Sequence, residues 1–213
     1  MVLNLSVDEV LTTTRSVRKR LDLEKPVPRE VLLECLELAI QAPTGSNAQR
    51  WQWVFVEDAD NKKALADVYR VSSTPYLALP KPDYGGDARA ERMGLVGDSA
   101  VYLADHLHEV PVMLIPCLEG RPEEAPMGSA SFWASLFPAA WSFMLALRSR
   151  GLGSTWTTLH LFGDGERKAA EILGIPYDRY SQGGLFPIAY TKGTDFRPAR
   201  RLPVDTIVHW DSW

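Results

Sequence analysis

The chain has 213 residues, 46% of them hydrophobic and 23% charged, with a formal net charge of −4 at pH 7. That length suits one domain with a sizeable core, and the acidic balance excludes bulk nucleic-acid binding, which needs a basic footprint. Its two cysteines, Cys35 and Cys117, lack metal-ligand or CxxC spacing and read as buried free thiols, which suits a reducing cytoplasm.

The N-terminus, MVLNLSVDEV, lacks the basic-then-apolar layout of a signal peptide. Ser6 followed by Glu9 predicts a capping box that opens a short helix, with Val7, Val10 and Leu11 on its apolar face. This helix delivers the chain to a basic run holding Arg15, Arg18, Lys19 and Arg20. Pro28 starts a second helix through about Gln41, where Val31, Leu32, Cys35, Leu36 and Ala39 fall on one side. APTGSNAQR is a loop marked by Pro43, Gly45 and Asn47, and WQWVFVED alternates as a strand. Asp58 or Asp60 caps a third helix through about Tyr69. Residues 72–97, rich in Pro and Gly, read as a long loop or lid.

A helix over Asp98–His108 precedes a buried strand, VPVMLIPCLE. Residues 130–147, ASFWASLFPAAWSFMLAL, carry no charge and approach the ~20 apolar residues of a membrane span. Their serines, Pro138 and the lack of a second span favour a helix buried on every side and packed against its twin in a dimer, with no membrane involved. Gly151 suits the C-cap that ends it. STWTTLHLF is strand-like, GERKAAEILGIP is a helix stopped by Gly174 and Pro176, and GGLFPIAYT is a last core strand before an Arg-bearing tail. Helices and strands alternate without the regular period of a doubly wound sheet, so the class is α+β in a single domain, 1–213.

Arg15 and Arg18, three apart, project from one face of a helical turn, and with the Ser16 hydroxyl they make a clamp suited to a phosphate. A solvated basic face is the bland alternative, and Lys19 and Arg20 fit it. In PTGSN, Gly45 lets the backbone approach a ligand closely, although a plain helix-to-strand turn is the reading these residues favour by themselves. No GxGxxG or Walker loop is present, which excludes a dinucleotide held in the Rossmann manner. His106, His108, His160 and His209 assemble no zinc site or catalytic triad. Side-chain catalysis is poorly provided for, and a cofactor would fill that gap.

Taken in order, these segments resemble the FMN-dependent nitroreductase family. TRSVRKRL resembles its R-S-x-R element, APTGSNAQRWQWVFV its A-P-S-x-x-N-x-Q-P-W-x-F-x-V block, and RGLGSTWTT its G-L-G-S-x-W segment. LGIP, LFPIAY and ARRLPVDTIVHW resemble the closing helix, strand and basic tail, so the likeness spans nearly the whole chain and is greatest to the mycobacterial-type branch. Three positions depart from the pattern: Thr14 stands where many relatives have arginine, Arg20 replaces a frequent aromatic, and Arg50 replaces the usual proline before Trp51.

The resemblance implies a mainly antiparallel sheet flanked by helices, in an intertwined cytoplasmic homodimer whose 192–213 tail reaches the partner subunit. It implies tightly bound FMN, with Arg15, Ser16 and Arg18 at its phosphate and ring edge and Arg201, beside Arg200, closing on the same phosphate. Arg197 is a lesser candidate for that role. Pro43, Thr44, Gly45 and Asn47 would reach the flavin from the other chain, and Thr158, Leu159, His160 and Leu161 would bring a backbone amide toward flavin N5. The implied activity is ping-pong hydride transfer from NAD(P)H through N5 to a nitroaromatic or quinone-type acceptor. Dehalogenation, flavin fragmentation or dehydrogenation on the same fold, and a flavin-binding sensor or store with little turnover, remain alternatives.

Overall fold

One strand of almost unbroken apolar sequence organises the chain. β2 (Val112–Glu119) is buried from Val112 to Leu118, as a strand covered on both faces must be. In this computed structural model, which describes residues 2–80, 82–87 and 89–213, every other strand of the sheet lies beside it or one step away. β1 (Trp51–Val56) pairs with it antiparallel, Trp51 opposite Leu118, and β5 (Phe186–Tyr190) pairs along its first half, Val112 opposite Ile188. β3 (Leu152–Ser154) continues the sheet on β5, and β4 (Tyr180–Gln182) takes the far end of β2, Cys117 opposite Gln182. The order is β1-β2-β5-β3 and all these pairings are antiparallel, the α+β nitroreductase-like arrangement anticipated above.

The helices are α1 (Val7–Thr13), α2 (Arg29–Ala39), α3 (Ala59–Leu77), α4 (Met93–His106), α5 (Gly128–Ala134), α6 (Phe137–Ser149) and α7 (Gly165–Leu173). Because successive strand residues point to opposite faces, β2 feeds two cores. Val112 and Leu114 join Leu32 and Cys35 of α2 with Phe143 and Leu147 of α6. Met113, Ile115 and Cys117 join Leu65 and Tyr69 of α3 with Leu103 of α4. Each such large side chain contributes roughly 1.5–3 kcal/mol on burial.

Several local signals hold. Ser6 and Glu9 form the reciprocal capping box, at 2.7 and 3.2 Å. Asp58 accepts from the Asn61 amide at 2.9 Å to start α3. Gly174, at φ 66°, ends α7 in the left-handed conformation.

Three expectations need correction. Residues 72–97 are not one long loop: α3 runs on to Leu77 through Pro75, and α4 begins at Met93. Packing of the buried Tyr69 and Ser73 outweighs the hydrogen bond that Pro75 cannot donate. Residues 130–147 are not one helix buried all round, because the chain breaks between α5 and α6 and Pro138 sits in the first turn of α6. The stretch Gly128–Ser149 is long and apolar enough to cross a membrane by composition, but α6 buries one side on α2 and the sheet and leaves Trp141 41% exposed. Finally, STWTTLHLF is strand only as far as Ser154, with an isolated bridge from Thr157 to Leu185 and then a 3-10 turn at Leu159–Leu161. Its apolar alternation outruns the partner strand.

Gly165, the first residue of α7, lies against that turn. A Cβ there would stand 2.0 Å from the His160 carbonyl oxygen, a backbone atom that cannot step aside. Gly165→Ala is therefore expected to cost roughly 1–3 kcal/mol. Urea or thermal unfolding reads the loss directly, and a lowered Tm of several degrees is the expected sign.

Candidate functional site

The basic run begins where α1 stops. Thr12, Thr13 and Thr14 each turn a hydroxyl back to the carbonyl four residues earlier, at 2.6, 2.5 and 2.7 Å, a back-bonding that competes with the helical backbone bonds at those carbonyls. The next segment is extended, not helical. Ser16 bridges Ser154 in parallel, and the Val17 amide donates to the Ser154 carbonyl at 2.8 Å. The helical-turn geometry expected for Arg15 and Arg18 is thus replaced by an edge contact with β3. Gly153 permits it, because a Cβ there would meet Thr191 at 2.6 Å and Val17 at 3.1 Å.

The tail returns to the same place. Arg148 of α6, 5% exposed, donates from Nε to the Thr13 hydroxyl and from Nη2 to the Thr194 carbonyl, both at 3.0 Å. Arg20 donates to the Lys192 carbonyl at 3.0 Å and pairs with Asp195 at 2.5 Å. The Phe196 ring takes both guanidinium groups, Arg20 at 4.2 Å and Arg148 at 5.0 Å. Arg15 then donates to the Arg197 carbonyl. Arg20, read from sequence as solvated or as a lost aromatic, instead fastens the tail.

A cavity of about 520 Å³ opens between these segments. Arg15, Ser16, Arg18, Lys19 and Arg20 line it from the N-terminal side, and Phe196, Arg200 and Arg201 from the tail. Tyr84, Arg89 and Arg92, from the connection between α3 and α4, complete the wall with Met93, Val96 and Ser99 of α4. Burial first, then the nearby charges of Arg201 and Arg92, push the Arg15 guanidinium below its ordinary range. Two segments almost the whole chain apart therefore lie within electrostatic reach. Arg18 is likewise pushed down by burial, partly offset by Tyr69, and donates to the Ser99 hydroxyl at 3.3 Å.

A second cavity, about 460 Å³, adjoins the first and shares Arg18, Met93 and Val96 with it. Its other walls are largely aromatic and apolar: Tyr69 and Tyr76 of α3, Trp156, Leu159 and Phe162, with Thr157 and Thr158. Together the two spaces offer a cationic end and a flat apolar end, joined at Arg18.

The remaining sequence-predicted residues divide. Thr158 and Leu159 line the apolar cavity, but Leu161 faces a different one beside Arg121 and Glu166. Pro43, Thr44, Gly45 and Asn47 line none of these spaces within the protomer. Their turn rests on the α5–α6 junction, where the Gly45 amide donates to the Ser135 hydroxyl at 3.0 Å. Ser46, Asn47 and Gln49 there hold φ of 52°, 51° and 48°, a strained run for residues other than glycine. Arg197 offers the site its carbonyl, not its charge. Sequence reading missed Tyr84, Arg89, Arg92 and the aromatic wall, although the Arg89/Arg92 pair within DARAERM was a visible signal.

The family model described as the nitroreductase family matches residues 11–190. Among curated proteins, the chain is 28% identical over 210 residues to an NADH dehydrogenase of Thermus thermophilus, covering 92% of this chain and 91% of the other. It is 30% identical over 144 residues to an iodotyrosine deiodinase of Thermotoga neapolitana, covering 68% and 69%. Among solved structures, an FMN- and NADPH-dependent nitroreductase of Sphigopyxis sp. strain HMH shares the fold at a TM-score of 0.71 and 22% identity, covering 98% of this chain and all of the other.

His160 supports the site from behind and does not line it. It is fully buried, with Nε2 3.1 Å from Gln182 Oε1. Gln182 Nε2 donates to the Glu166 carbonyl at 2.8 Å, so its oxygen faces the imidazole and Nε2 must carry the ring proton. Burial pushes this imidazole down to about 4, with the Gln182 bond acting the other way. Between pH ~4 and ~6.5 the unfolded chain then binds more protons than the folded one, so the stability His160 contributes is complete above ~6.5 and lost as pH falls toward ~4. Over that window the wild type should lose roughly 3 kcal/mol more than His160→Gln does, read as the difference in slope of urea-unfolding free energy against pH.

Proposed function

This chain belongs to the nitroreductase family and is an NAD(P)H-dependent flavin oxidoreductase, and from that premise we propose that the joined cavities hold FMN and serve the reduction of nitroaromatic or quinone-type acceptors. The observation that carries the reading is the meeting of Arg15 and Arg201 in one basic cavity that opens, through Arg18, into an aromatic one. That pairing of environments fits a phosphate monoester joined to a flat ring system, since guanidinium groups bind phosphate with planar, charge-assisted donors. When bound, FMN supplies hydride and electron transfer between NAD(P)H and the acceptor.

The chain's own groups do the rest. Arg15 and Arg201 bind the phosphate, with the Ser16 hydroxyl as a further donor. Arg18 sits at the ring edge, where fixed positive charge favours developing negative charge. Thr158 and Leu159 present backbone to the ring, on a turn held from behind by His160, Gln182 and Gly165. Tyr76, Trp156 and Phe162 exclude water around it.

In the same reading the active unit is a homodimer. Leu33 and Leu38 of α2, at 54% and 53% exposed, and Trp141, Trp210 and Trp213, at 41%, 84% and 100%, leave apolar area uncovered on the protomer. A second copy would cover it and bring its Pro43, Thr44, Gly45 and Asn47 to the flavin. The likeness to an iodotyrosine deiodinase favours one second reading, reductive dehalogenation at the same site.

Purified chain should carry or take up FMN and oxidise NADH or NADPH with a nitroaromatic acceptor, and no flavin uptake at all would refute the assignment. Halotyrosine turnover in place of nitro reduction would select the second reading. Arg15→Ala and Arg201→Ala should each weaken FMN affinity about tenfold or more, whereas Lys19→Ala, on an exposed side chain, should change it little. Equal affinities across the three variants, by fluorescence titration, would contradict the proposed division of roles.

A further inference from the structure

The basic cavity holds more positive charge than a single phosphate needs. Three of its cations already have carboxylate partners: Arg20 with Asp195, Arg89 with Asp87, and Arg200 with Glu91. Arg15, Arg18, Lys19, Arg92 and Arg201 have no such partner among the described residues, and no acidic side chain lines the space. A phosphate monoester carries about −1.5 to −2 at neutral pH, so roughly three cations remain uncompensated after it binds.

Arg92 is the one placed for a second task. It precedes α4 on an exposed connection, and its neighbours there are accounted for: Arg89 is held by Asp87 and lies 4.3 Å over the Tyr84 ring, and Glu91 is engaged by Arg200 of the tail. Met93 and Val96, next along the same element, form the shared wall of the basic and apolar cavities. Arg92 lines the basic cavity and not the apolar one, one residue before this shared wall, so a charged substituent reaching past Met93 from an aromatic molecule stacked on the bound ring would come toward it. Its charge already bears on Arg15.

We propose that Arg92 is a specificity residue that receives an anionic group of the exchanging substrate, distinct from the phosphate of the cofactor. This rests on the flavin reading above. The chemistry is that of a carboxylate or phosphate, and it has two sources: an acidic aromatic acceptor, or the 2′-phosphate that separates NADPH from NADH. In a ping-pong cycle the nicotinamide and the acceptor ring take the same space in turn, while these two anions lie at different distances from it, so the response of one pair and not the other tells which of them Arg92 receives.

The test uses FMN-loaded wild type, Arg92→Gln and Arg92→Lys. KM and kcat are measured for NADPH against NADH, and for 4-nitrobenzoate against the neutral 4-nitrobenzamide. Arg92→Gln should raise KM for the anionic member of at least one pair roughly ten- to a hundredfold, with a much smaller change for its neutral or less charged counterpart, and Arg92→Lys should restore most of the loss. The pair that responds identifies the source. Parallel changes in both members of both pairs would overturn the proposal, as would loss of FMN retention in Arg92→Gln to the extent seen for Arg15→Ala. A wild-type chain that takes up no FMN would instead strike the functional reading itself, and this proposal with it.

Discussion

Phe196 carries two guanidinium groups over its ring, and the geometry of the candidate site depends on that contact. Arg148 reaches it from within α6, braced by the Thr13 hydroxyl, and Arg20 reaches it from the N-terminal segment. A ring can take two cations only if their mutual repulsion is offset, and Asp195 supplies a carboxylate to Arg20 while the Lys192 carbonyl accepts from Arg20 and the Thr194 carbonyl from Arg148. Without this fastening the tail beyond Gly193 would have few protomer contacts, since residues 201–213 are exposed throughout. With it, Arg200 and Arg201 are delivered to a cavity whose other wall was laid down by residues 15–20.

The same economy of contacts governs the sheet edge. Gly153 lets the N-terminal segment lie against β3, and Gly165 lets α7 close on the Leu159–Leu161 turn. Both glycines are needed for close approach, not for a left-handed turn, since neither has a positive φ. They place the backbone of the basic run and of the 158–161 turn on adjoining walls of the two cavities, within a rigid sheet-and-helix frame. Among the described residues, three of the four non-glycine residues at positive φ lie elsewhere, at Ser46, Asn47 and Gln49, on a turn that is exposed on the protomer, the fourth being Asp211 in the tail.

Local signals were legible wherever a few neighbouring residues decide the outcome. The Ser6–Glu9 box, the Asp58 cap, the Gly174 stop and the β2 core strand depend on chemistry within one turn or one strand, and each stands where the pattern put it. The extent of α3 was misjudged because Pro75 is a stop signal only when packing does not compensate for it. The 154–162 segment was misjudged because alternation marks an apolar face, whereas a strand also needs a partner of matching length.

By itself, the sequence determined the α+β class, the acidic net charge, the capped helices, and the presence of arginine clusters at both ends of the chain. Tertiary structure alone decided which of those arginines share a cavity, that Arg20 and Arg148 hold the tail while Arg15 and Arg201 face open space, and that Arg92 joins them from the α3–α4 connection. The reason is physical: an arginine carries the same charge in any surroundings, but its role depends on whether a carboxylate, an aromatic face or nothing lies within reach of its guanidinium. Those neighbours come from residues far away in the chain, 175 positions for Arg20 and Asp195, and only the folded chain brings them together.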